Sequence, residues 1–170
     1  MKLHFALLAA FSMLTAACTS NPFVVTISNC PAMAVLGDVG TVTRFVGNGR
    51  DMADVAYTAS ISSAVQDCTE HQDGVDTTVE FDIVATSGAA LTERSVTLQY
   101  FIIVMKDNSQ LVTKKIYDVT LNFDASTGTA VSHQVIQSNI PTYEQAKRYN
   151  YETLIGFQLT NDEAAYNVVR

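Results

Sequence analysis

Hydrophobic and polar positions alternate with a period of two along most of this chain, and turn residues interrupt the alternation at short intervals. That is the signature of strands that hold one face in a core and the other in water. The clearest stretch runs from Val75 to Ala85, with Val75, Val79, Phe81 and Ile83 inward and Asp76, Thr78, Glu80 and Asp82 outward. A slip of one residue would bury the acids, so its register is well specified. Val55 to Val65 alternates likewise, with Val55, Tyr57, Ala59, Ile61 and Val65 on one face, and the strand runs on to Cys68.

Ala32 to Leu36 is a first apolar run, and Thr41 to Phe45 reads as a brief strand or irregular chain. Ser95 to Met105 alternates at first, but Phe101 to Met105 is apolar on both faces, which makes it the most buried strand or a covered one. Lys106 to Gln110 is a hairpin loop. Beyond it, Tyr117, Val119, Leu121 and Phe123 share a face within Leu111 to Phe123. Asp124 to Thr129 turns the chain, Ala130 to Ile140 is strand-like, and Tyr151 to Leu159 sends Tyr151, Thr153, Ile155, Phe157 and Leu159 inward. Two capping boxes, Thr142 to Gln145 and Thr160 to Glu163, predict a single helical turn before the last strand and a short C-terminal helix lying on the end of the sandwich.

Seven major strands with no helix long enough for a βαβ crossover predict mainly antiparallel pairing. The expected fold is an all-β, immunoglobulin-like or fibronectin-III-like sandwich with a short C-terminal helix, a small β-barrel being the alternative. The likeness is one of pattern. Tryptophan is absent, and the cysteines lack the spacing of the cross-sheet bridge of antibody domains.

The N-terminus follows different rules. Lys2 supplies a positive start, Phe5 to Leu14 an apolar run too short to cross a bilayer, and small residues precede Cys18. Leu14-Thr15-Ala16-Ala17-Cys18 resembles the lipobox of bacterial lipoproteins. That resemblance implies that the Cys18 thiol becomes a thioether to diacylglycerol and that the chain is cut before it. It predicts residues 1–17 as signal peptide, 18–29 as a lipidated tether and 30–170 as one domain. Two or three acyl chains make a stable anchor where one does not. Thr19 is not the aspartate of an inner-membrane retention signal, so the implied location is the outer membrane, facing the periplasm. The segments Gly49 to Tyr57, Tyr117-Asp118-Val119 and Tyr151 to Leu159 are also similar to those of short alphaproteobacterial lipoproteins of unassigned function, a resemblance that supplies no mechanism and no catalytic residue.

The formal net charge is −7. Such a surface disfavours nucleic acid and anionic lipid head groups, so membrane attachment falls to the acyl chains. With Cys18 committed to lipid, Cys30 and Cys68 remain as an even pair in an exported chain, which predicts a disulfide.

Candidate chemistry is sparse. His71 and His133 have no GxSxG or comparable nucleophile frame. Asp67, Glu70, Asp73 and Asp76 gather around one turn with His71, yet without EF-hand spacing they read as a solvated acidic loop, and no metal site or cofactor is called. Gly47-Asn48-Gly49 is a turn without the helix that a phosphate-cradling loop needs. Phe23, Val24 and Val25 in the tether, with Tyr143 and Tyr149, form a possible partner surface. The expected function is therefore a non-enzymatic scaffold or accessory subunit for an envelope protein. The alternative is a binding module for a small ligand, cell-wall glycan or calcium.

Overall fold

Strong alternation makes long strands here, and the long strands hold the interior. A computed structural model describes residues 30–141 and 151–169. Its elements are β1 (Ala32–Val35), β2 (Thr41–Phe45), β3 (Val55–His71), β4 (Gly74–Ser87), β5 (Ser95–Lys106), β6 (Gln110–Asn122), β7 (Thr129–Pro141), β8 (Tyr151–Phe157) and a C-terminal helix α1 (Asn161–Val168). The strands form two four-stranded sheets, β1-β8-β5-β6 and β2-β3-β4-β7, which do not close into a barrel. The expected sandwich is present, and the segment read as brief or irregular, Thr41 to Phe45, is a full member of it. All pairings are antiparallel except β1 with β8, which run parallel from Ala32 opposite Glu152 to Val35 opposite Ile155.

The core fills the space between the sheets. Val79, Phe81 and Ile83 of β4 face Leu98, Tyr100 and Ile102 of β5, and Leu121, Ile155 and Phe157 close around them. Each such side chain contributes about 1.5–3 kcal/mol by leaving water. Phe81 meets Tyr100 edge to face at 5.4 Å, and Tyr100 stacks on Tyr117 at 5.2 Å. The Tyr100 hydroxyl donates to Gln134 Oε1 at 2.8 Å. Burial, with Tyr117 beside it, pushes the Tyr100 phenol up to about 12.

The inward set expected on β3 needs one correction. Val55, Tyr57 and Ala59 are buried, but Val65 is 56 % exposed. Register shifts between Ser62, opposite Asp82, and Val65, opposite Glu80, so two residues of β3 face one of β4. Ser63 takes φ of 53° there. This is a β-bulge, which inserts a residue and inverts the phase downstream. Beyond it Cys68, opposite the buried Thr77, faces the interior and Val65 faces out.

The doubly apolar stretch of β5 resolves as covered. Phe101 points to the outer face yet is only 7 % exposed. Opposite it stands Gly156, and the Lys114 ammonium lies 4.6 Å from the ring centroid. A Cβ on Gly156 would sit 2.8 Å from Phe101 Cζ and 2.5 Å from Val39 Cγ2, so close approach requires glycine.

Two loops follow their side-chain chemistry. Asp107 and Asn108 take positive φ in the β5–β6 hairpin, a conformation that short polar side chains tolerate. In the β6–β7 turn, Asp124 Oδ1 accepts from the backbone N–H and hydroxyl groups of Ser126 and Thr127, which holds its carboxyl down near 2. The expected C-terminal capping box forms in full, with Thr160 and Glu163 bonded reciprocally. Helix α1 runs along β2: Glu163 pairs with Arg44 at 2.8 Å, Phe45 meets Tyr166 edge to face at 5.1 Å, and Asn167 Nδ2 donates to Asp38 O and Thr41 O. The capping box at Thr142 to Gln145 lies outside the described residues.

Candidate functional site

One end of the sandwich gathers the features that matter. Lys106 pairs with Tyr151 and Gly74 with Pro141, so the β3–β4 and β5–β6 hairpins, the end of β7 and the start of β8 meet there. The predicted disulfide lies at the same end: Cys30, just before β1, is bonded to Cys68 near the end of β3, with Cα atoms 5.7 Å apart. It joins the first strand of one sheet to a central strand of the other. Cys68 and Tyr151 pack on a small satellite core of Val75 and Ile140, which continues the main core toward that end. Gln66 Nε2 adds a bond of 2.7 Å to Pro31 O.

Here the sheets part on the side of β6 and β7. The gap is a cleft of about 460 Å³, with Ile102 and Val104 of β5, Tyr117 of β6, Ile136 and Ile140 of β7, and Tyr151 of β8 among its walls. Thr113, Lys115, Gln137, Ser138 and Asn139 add polar groups. Lys115 is the one charged residue lining it among the described residues. Its register opposite Ile102 gives it the core-facing phase of β6, the phase that continues through Tyr117, Val119 and Leu121.

The titratable groups singled out in the sequence sit elsewhere. His133 lies on the outer face of β7, its Nδ1 2.8 Å from Asp82 Oδ1 and its Nε2 3.8 Å from Glu80 Oε2. Both ring nitrogens therefore face carboxylates of β4, a cross-strand charge ladder. His71 Nε2 is 3.1 Å from Asp76 Oδ2 in the β3–β4 hairpin, and Asn139 Nδ2 donates to the same carboxylate. Asp67, Glu70, Asp73 and Asp76 do not converge: among the described residues no group of three or more His, Cys, Asp or Glu side chains could hold a metal ion. The predicted lipid acceptor Cys18 and the predicted partner residues Phe23, Val24, Val25, Tyr143 and Tyr149 lie outside the described residues. No helix among the described residues is long and apolar enough to cross a membrane.

Sequence reasoning missed the cleft. The available signal was Thr113 and Lys115, polar residues that occupy the inward phase of β6 while Tyr117, Val119 and Leu121 keep it apolar. A strand that changes character on its inner face marks where facing sheets separate. In comparisons with family models, curated proteins and solved structures, none matches this chain.

Proposed function

We propose that this chain is a lipid-anchored, non-enzymatic accessory protein of the bacterial envelope, held at the outer membrane through Cys18, and that it recruits its partner by strand addition to the free edge of β7. The edge strands carry the reading. Exposed edges are normally shortened, covered or charged against unwanted pairing. Here β1 has four residues, α1 covers β2, and β6 carries Lys114 and Lys115. By contrast β7 runs for 13 residues with no Lys, Arg or Pro before Pro141, and among the described residues only β4 pairs with it. Val131 and Val135 stand 66 % and 50 % exposed on its outer face. An extended segment with apolar residues at alternate positions would find main-chain partners along β7 and side-chain contacts at these valines.

The anchor is consistent with this arrangement. The chain comes into the sandwich at Cys30, so acyl chains on Cys18 would hang the domain from its disulfide-pinned end by 12 residues, a reach of at most about 40 Å. The test is a photo-reactive residue at Val135 in intact cells, which is expected to trap one discrete envelope protein. Val131→Lys, on the same solvent face with the photo-reactive residue kept at position 135, is expected to abolish the adduct without unfolding the domain. Recovery of monomer alone from folded, membrane-attached protein would refute the scaffold role. Retention of Cys18→Ser on washed membranes as tightly as the parent would refute the anchor.

A second reading, a binding module for a small ligand, is favoured by the cleft. Its volume of about 460 Å³ falls in the range of roughly 300–1,000 Å³ typical of ligand pockets, and its apolar walls carry a few convergent polar groups.

A further inference from the structure

We infer that the cleft between β6 and β7 binds a single-chain anionic amphiphile, with the acyl body between the two sheets and the carboxylate or phosphate head on Lys115. The inference rests on the binding-module reading and gives that site its ligand class.

The walls argue for the tail. Ile102, Val104 and Tyr117 come from one sheet and Ile136 and Ile140 from the other, so an apolar chain would be sandwiched as the core residues beside it are. The volume lies in the lower part of the usual ligand range, which suits one chain better than two. The Lys pair of β6 argues for the head. Lys114 faces the outer side of its sheet, where its ammonium lies over Phe101 and donates to Gln158 Oε1 at 3.1 Å. Lys115 faces the cleft and has no ion pair or hydrogen bond among the described residues. A lysine can lay its methylenes along apolar wall while its ammonium stays at the mouth. The chain's net charge of −7 disfavours docking on an anionic bilayer, but a single molecule inside the cleft meets one charged lining residue, and it is positive. The competing role for Lys115 is that of an inward-pointing charge that only guards the β6 edge against pairing.

The two roles separate in a binding experiment on the full chain carrying Cys18→Ser, purified without detergent. A fluorescent polyene fatty acid is titrated in, then displaced with oleate, with lysophosphatidic acid, and with the neutral methyl ester of oleate. Saturable binding at one site is expected, with the ester about fivefold weaker than the acid, since a partly exposed ion pair is worth up to about 1 kcal/mol. Lys115→Gln, at an exposed position, is expected to erase that difference, and Ile136→Trp, which fills the cleft, to abolish binding of acid and ester alike. Preference for oleate would identify a free fatty acid as the ligand, and preference for lysophosphatidic acid a membrane lipid; either supports the proposal. Equal binding of acid and ester by the parent, or indifference to Lys115→Gln, overturns the anionic ligand and leaves the binding module standing. If neither acid nor ester binds, the amphiphile proposal is overturned, while the module reading stands or falls on a separate thermal-shift screen with calcium and cell-wall fragments.

Discussion

Reducing the Cys30–Cys68 bridge should cost this domain close to 4 kcal/mol. The bond closes a loop with a sequence separation of 38. In the chain-entropy account, cross-linking removes about 2.1 + 1.5R ln n cal/mol/K from the unfolded chain, which for this loop is about 13 cal/mol/K, or about 3.9 kcal/mol at room temperature. With a urea m-value of about 2 kcal/mol/M, the midpoint should fall by about 2 M. The measurement is equilibrium urea unfolding of oxidised and fully reduced protein, followed by far-ultraviolet circular dichroism. Reduction is a cleaner perturbation than replacement, because Cys68 packs against Val75 and Ile140 and truncating it to alanine adds a packing loss of about 1 kcal/mol. The Cys30→Ala/Cys68→Ala protein should therefore lie slightly below the reduced one. Midpoints of oxidised and reduced protein that coincide would refute the reasoning, since they would mean that the unfolded chain gains no freedom when its ends are released.

Three further outcomes follow from local geometry. The Tyr100 phenol is raised from 10.0 to about 12, so its neutral form is favoured by folding; this stability is intact below pH 10 and is lost as pH rises toward 12. Tyr100→Phe should cost about 1 kcal/mol by leaving Gln134 Oε1 without its donor, and should flatten that part of the alkaline profile, read by thermal melts against pH. Gly156→Ala should destabilise by about 1–3 kcal/mol through overlap with Phe101 and Val39, and Val39→Ala should restore part of the loss in a double-mutant cycle. Asp124→Ala should loosen the β6–β7 turn, and in the parent the same loosening should set in only as pH falls through about 2, the Asp124 carboxyl titrating there by NMR.

How far the chain could be read in advance depended on what each segment's neighbours contributed. Val75 to Ala85 announced its register because its two faces differ in charge, and the neighbouring strands leave that difference intact. The C-terminal helix was legible from Thr160 and Glu163, because a capping box is closed within four consecutive residues. Phe101 to Met105 was ambiguous because its outer face is covered by residues distant in sequence: Gly156 and Lys114 meet Phe101, and Val39 closes on Gly156, only in the folded chain. The cleft was hard to see for a similar reason. Ile102, Ile136 and Ile140 carry the alternation of ordinary core positions, and only Thr113 and Lys115, polar in the inward phase of β6, mark locally where the opposite sheet diverges. In the acidic turn around His71, Asp76 engages His71 and Asn139, a pairing across strands that the run of acids in the sequence did not reveal.

The bulge at Ser63 links these features. Strict alternation from Val55 would carry Val65 inward and turn Cys68 to the opposite face, where it could not meet Cys30. One extra residue reverses that phase, so that Cys68 comes inward opposite Thr77, near the satellite core, while Gln66 reaches back to Pro31. A serine at φ of 53° is not free, because a left-handed conformation costs a residue with a Cβ roughly 1–2 kcal/mol. That cost is smaller than the stabilisation of about 4 kcal/mol expected from the bridge it permits. The bridge in turn pins the two sheets together at the β1–β3 side of the same end where β6 and β7 stand apart. A sandwich open at one corner needs a firm constraint at the other, or the cleft would widen and expose core residues that line it, such as Ile102. On this argument the strained serine, the disulfide and the cleft are parts of one arrangement, and loss of the first would be felt at the last.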